Sequence, residues 1–123
     1  MPKKVLVVED NQDMRSLIHL QLTLEGFSVV VAANGAEGLY LATVEKPDLI
    51  ITDITMPELG GIDMTKQLRA HPETKDIPIL AMTAYGDEVT DEIIRAGATR
   101  GIKKPVHMDD LVYNVNEMLD ENK

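Results

Sequence analysis

Five times in succession a short apolar run rich in β-branched residues gives way to a longer segment with apolar residues at helical spacing. That alternation restricts the fold more than any other feature of the chain. A strand followed by a helix and then another strand returns in the same direction, so the pattern predicts βα units around a parallel sheet. The expected strands are residues 5–8, 29–32, 49–52, 79–82 and a brief one around Ile102. Runs such as VLVV and LII are apolar without a break, as strands sandwiched between two helical layers must be. Helices are expected from Met14, Leu17, Ile18 and Leu22, from Val89, Ile93 and Ala96, and from the stripe Met108, Leu111, Val112, Val115, Met118 and Leu119 behind Pro105. Two weaker faces come from Ala36, Leu39 and Ala42, despite Gly38, and from Met64 and Leu68. Asn34-Gly35 has the form of a hairpin turn, but the helical pattern after it argues against one.

Composition narrows what such a domain can do. The 123 residues suit one domain spanning 1–123, and 21 acidic against 12 basic residues give a net charge of -9 with no Lys/Arg stripe. Nucleic acid and anionic membranes would be repelled. With no cysteine there is no disulfide, thiolate metal site or cysteine nucleophile. The N-terminal MPKKVLVVEDN is too short in apolar residues for a signal peptide or a spanning helix, so a cytoplasmic location is expected. Phe27 is the single phenylalanine and tryptophan is absent, which predicts an aliphatic core without a stacking platform.

In an open α/β sheet, ligands bind beyond the carboxyl ends of the strands. The residues there are Glu9 and Asp10 after the first expected strand, Asp53 after the third, Thr83 after the fourth, and Lys104-Pro105 after the fifth. The second ends in Ala32, Ala33 and Asn34, as suits an edge strand. Three converging carboxylates opposed by one lysine repel each other unless some protonate or a hard divalent cation binds, and oxygen-only ligands at a partly open site suit Mg²⁺. An Asp beside such an ion can act as a nucleophile toward phosphorus. Phosphoryl transfer then needs mainly charge stabilisation, which Lys104 and the Thr83 hydroxyl can supply together with backbone N–H groups after Asp53 and Thr83. Each residue alone has an ordinary reading: a polar loop, a helix cap, a solvated lysine. Their joint presence at four of the five strand ends is what points to chemistry. A cis Lys104-Pro105 bond would turn Lys104 toward the carboxylates. His19, His71 and His107 lack metal-ligand spacing and read as surface or capping residues, and the acids 87/88, 91/92 and 109/110 read as solvated helix acids.

The segments KKVLVVEDN at 3–11, KPDLIITDITMP at 46–57, LAMTA at 80–84 and GATRGIKKP at 97–105 occur in order, and through them the chain resembles the receiver domain of bacterial response regulators over nearly its whole length. The resemblance implies a flavodoxin-like, doubly wound sheet of order 2-1-3-4-5 with helices on both faces. It implies Mg²⁺ held by Glu9, Asp10, Asp53 and the Thr55 carbonyl, Asp53 as phosphoacceptor, Thr83 as switch hydroxyl and Lys104 as phosphate contact. It further implies a histidine kinase or histidine phosphotransfer protein as donor, a downstream protein target reached through the surface around the fourth helix and fifth strand, and no enzymatic activity beyond the chain's own phosphorylation and dephosphorylation. Two positions depart from the family pattern. Gly101 stands where receivers commonly carry an aromatic residue, leaving Tyr85 to take over part of that role, and Gly60 stands where an Asp is common. The rivals are a metal-dependent phosphatase with an Asp nucleophile, which would want an acid where Thr55 stands, a flavodoxin-like cofactor binder, and a pseudo-receiver that binds partners without phosphorylation. The chain stops just after the last helix, which reads as a receiver without output domain, either stand-alone or cut from a longer protein.

Overall fold

The computed structural model describes residues 2–54, 59–84 and 87–121, with the backbone alone at 87–90 and 121. Its elements alternate: β1 (Lys4–Val8), α1 (Gln12–Leu24), β2 (Ser28–Ala32), α2 (Gly35–Glu45), β3 (Leu49–Asp53), α3 (Gly61–Ala70), β4 (Ile79–Thr83), α4 (Asp87–Ala96), β5 (Arg100–Lys103) and α5 (Met108–Glu121). The strands form one parallel sheet of order β2-β1-β3-β4-β5, the flavodoxin-like arrangement expected. Order reverses between β1 and β3, so the crevice beyond their carboxyl ends is the favoured ligand position. Each of the first four strands runs one residue longer than its apolar run. Asp53 and Thr83 are therefore the last residues of β3 and β4, held by the ladder rather than by a loop.

Alternation along the strands divides the core in two. Val5 and Val7 of β1 and Leu49 and Ile51 of β3 pack with Ile18 and Leu22 of α1 and with Leu111, Val115, Met118 and Leu119 of α5. Leu6, Val8 and Ile50 face the opposite layer, where Ala42 of α2, Met64 and Leu68 of α3 and Ile93 of α4 meet them. Among the described residues the buried apolar side chains are aliphatic, as composition predicted, with half-buried Phe27 packed against the layer of α1 and α5. Met64 and Met118 are fully buried fillers.

Three expected contacts differ. Leu17 is exposed rather than part of the α1 stripe, because Ile18 and Leu22 already fill the face against the sheet. Ala36 is exposed, while Gly38, taken as an interruption of α2, lies on its packed face. A Cβ at Gly38 would stand 2.9 Å from Val8 Cγ2 and 3.0 Å from Met64 Sδ, so glycine is what lets α2 lie close to β1. Asn34 makes no hairpin; it caps α2 by accepting from the Glu37 N–H at 2.9 Å, and Glu37 accepts in return from the Ala33 N–H. Among the described residues no helix is long and apolar enough to cross a membrane.

Candidate functional site

Strand register brings the acidic residues together. Val8 pairs with Thr52, so Glu9 and Asp53 follow side by side at the carboxyl edge, and Glu9, Asp10 and Asp53 each offer a carboxylate oxygen within 4.8 Å of the others. Two of the three are buried: Glu9 is 1% and Asp53 4% exposed. At an effective dielectric of about 20, two charges at such a distance repel by roughly 3 kcal/mol. Part of that is offset by Lys104, which reaches across the end of β4 to place Nζ 2.9 Å from Asp53 Oδ2. Its backbone is anchored there, since the Lys104 N–H donates to the Thr83 carbonyl at 2.7 Å. The Lys104-Pro105 peptide is cis, which the sequence left open. Thr83 lies at the same rim and is buried.

Glu9 shows the electrostatic demand of the site. Burial, reinforced by the charge of Asp53, pushes its carboxyl up to about 7, against the opposing pull of the Asn11 N–H and Lys104. Its N–H donates to the Ala32 carbonyl at 3.0 Å, its carbonyl accepts from Arg15 at 2.9 Å and its Oε2 accepts from the Asn11 N–H at 3.1 Å. Oε1 is buried with no hydrogen-bond partner. A buried, orphaned carboxylate oxygen beside two further carboxylates is a poor arrangement for a proton-free site alone and a good one for a hard cation. The residues therefore fit Mg²⁺.

The loop after Asp53 is tied at both ends. The Ile54 N–H donates to the Met82 carbonyl at 3.1 Å, and the Gly61 N–H to the Ile54 carbonyl at 3.0 Å. A Cβ on Gly61 would overlap the Asp53 carbonyl oxygen, which explains a glycine there. The expectation that backbone N–H groups after Asp53 face a phosphate fails at Ile54, whose N–H is used within the sheet. Thr55, with its expected carbonyl ligand, Pro57 and Tyr85 lie outside the described residues, as do the side chains of Asp87, Glu88 and Val89. Gly101 pairs with Ala81 in β5. His19, His71 and His107 are all exposed, and His71 caps its own turn by accepting from the Glu73 N–H at 3.4 Å.

Arg15 was not singled out in the sequence, yet its Nη1 donates to the carbonyls of Glu9 and Asp10 at 2.9 and 3.4 Å. Helical side chains lean toward the helix N-terminus. An arginine in the first turn of the helix after an acidic pair was the available signal.

A doubly wound sheet with a buried acidic cluster and an apposed lysine at the β1/β3 switch point defines the receiver class of two-component signalling proteins. The chain belongs to that family: a family model described as response regulator receiver domain matches residues 5–116. Among relatives, the polar-differentiation response regulator DivK of Brucella anthropi is 35% identical over 97% of this chain and 98% of its own. The chemotaxis protein CheY4 of Vibrio cholerae superposes with a TM-score of 0.90 at 31% identity, covering 95% of this chain and 98% of that one. The receiver domain of the sensor histidine kinase PA1611 from Pseudomonas aeruginosa superposes with a TM-score of 0.89 at 26% identity, covering 98% and 99%, and holds a magnesium ion coordinated in its active site cleft.

Proposed function

We propose that this chain is a phosphoacceptor switch in which Asp53 takes a phosphoryl group from a phosphohistidine of a partner histidine kinase or histidine phosphotransfer protein. The observation that carries the reading is the 2.9 Å contact of Lys104 with Asp53 inside an acidic cluster. A purely structural ion pair would not need two more carboxylates beside it.

Each residue has a separate task. An Asp53 carboxylate oxygen forms the new O–P bond as the donor P–N bond breaks, its electron pair passing to the imidazole nitrogen that then takes a proton. Lys104 balances the charge of the acyl phosphate that results. Thr83 supplies a hydroxyl to an oxygen that exists only after transfer, which gives the phosphorylated state its differential contact. Glu9, Asp10, Asp53 and the Thr55 carbonyl would hold Mg²⁺; when bound, the ion neutralises charge on the transferring group. The chain acts on itself and is not a turnover enzyme. Its output is a changed surface around α4 and β5, read by a downstream protein.

Incubating the protein with acetyl phosphate and Mg²⁺ and measuring intact mass tests the assignment. One phosphoryl group should appear on the wild type and none of comparable stability on Asp53→Asn. Equal labelling of both would sink it.

A further inference from the structure

We propose that Arg15 is a positioning residue that sets the Glu9-Asp10 turn in the geometry required for cation binding. This deepens the function proposed above and rests on it.

Glu9 follows β1, and every polar group it has except Oε1 is tied down. One of the ties, to its carbonyl, comes from the guanidinium of Arg15, which spans on to the Asp10 carbonyl. Two consecutive peptide planes are thus referenced to one rigid, planar group. Arg15 is itself fixed, because its own N–H donates to the Asn11 carbonyl at 2.9 Å in the first turn of α1. Asn11 in turn both caps that helix, through Oδ1 accepting from the Met14 N–H at 2.9 Å, and donates to Glu9 Oε2. The turn from Glu9 to Arg15 is a closed set of bonds whose free end is Glu9 Oε1. The Asp10 side chain is exposed, and the Arg15 contact at 3.4 Å ties its carbonyl to the same guanidinium.

Charge and geometry predict opposite signs for removing Arg15. Coulomb's law alone says that a cation site loses a repelling neighbour and binds Mg²⁺ more tightly. Positioning says that the carboxylates lose their shared reference and the site binds more weakly, by about tenfold, the lower end of what supporting groups around metal ligands contribute. The sign therefore decides between the two accounts.

The test uses the full chain as wild type, Arg15→Met, which keeps the stem but neither donor nor charge, and Arg15→Lys, which keeps the charge on a single nitrogen. Mg²⁺ affinity is measured by titration calorimetry, and phosphorylation by acetyl phosphate is followed as a function of Mg²⁺. Arg15→Met should bind Mg²⁺ about tenfold more weakly, shift half-maximal phosphorylation to correspondingly higher Mg²⁺, and reach wild-type rate within about twofold at saturation. Arg15→Lys should fall between. A folded Arg15→Met that binds Mg²⁺ as tightly as wild type, or more so, overturns the proposal. If Arg15→Met does not fold, wild-type affinity in Arg15→Lys overturns it instead. Failure of the wild type to bind Mg²⁺ or take up phosphate would count against the proposed function rather than against Arg15.

Discussion

Glu9 carries its proton differently in the folded and unfolded chain, and stability must register the difference. Burial and the charge of Asp53 raise its carboxyl from 4.5 to about 7. The unfolded chain releases this proton above about pH 4.5, while the folded chain keeps it until about pH 7. Without a cation, the contribution of Glu9 is thus fully present below pH 4.5 and is lost as pH rises through 7, with an upper bound of about 3 kcal/mol. Thermal unfolding of wild type in chelator should show this downward slope between pH 5 and 8. Glu9→Gln should flatten it and unfold at a higher temperature than wild type at pH 8, by a few degrees, while binding Mg²⁺ more weakly. An identical slope in the variant would mean that another group titrates.

At the level of elements, β5 carries Gly101 where the receiver resemblance implied an aromatic residue. Ile102 packs on the α5 side of the sheet, so by alternation position 101 faces the α4 side. With glycine there, no ring can fill space vacated by Thr83, and the surface of α4, β5 and α5 should switch less sharply between two states. Gly101→Tyr should change affinity for the downstream partner, or its dependence on phosphorylation, by severalfold while acetyl phosphate labels Asp53 at nearly the wild-type rate. Unchanged partner binding in both phosphorylation states would remove the argument for the missing ring. Elements also show what reading the chain could reach. The alternation of elements, their parallel direction and the strand-end residues Glu9, Asp10, Asp53, Thr83 and Lys104 were legible because each rests on local pattern plus one rule of sheet topology, whereas the strand order came from the family resemblance. Gly38 was misread because its reason is a tertiary approach of α2 to β1, invisible to helical periodicity. Leu17 was misread because a period of 3.6 residues leaves neighbouring positions competing for one face. Arg15 was missed because its partners are backbone carbonyls, which leave no mark in the side-chain pattern.

For the whole molecule, the two apolar layers lie on the faces of the sheet and the charged groups of the site on one rim, so the cation and the core contribute separately. Far-UV circular dichroism in chelator should match that with Mg²⁺, whereas acetyl phosphate labelling should be lost. Added Mg²⁺ at about ten times its dissociation constant should raise stability by about 1.4 kcal/mol, a few degrees in melting temperature. Collapse of the spectrum in chelator, or labelling without the ion, would show that the two are not separate. The rim has another property: its residues come from the ends of four strands, spread from position 9 to position 104. A chain still leaving the ribosome, complete only through β4, would already contain Asp53 but not Lys104. Such a nascent or truncated molecule would hold the acidic group without the lysine that opposes it.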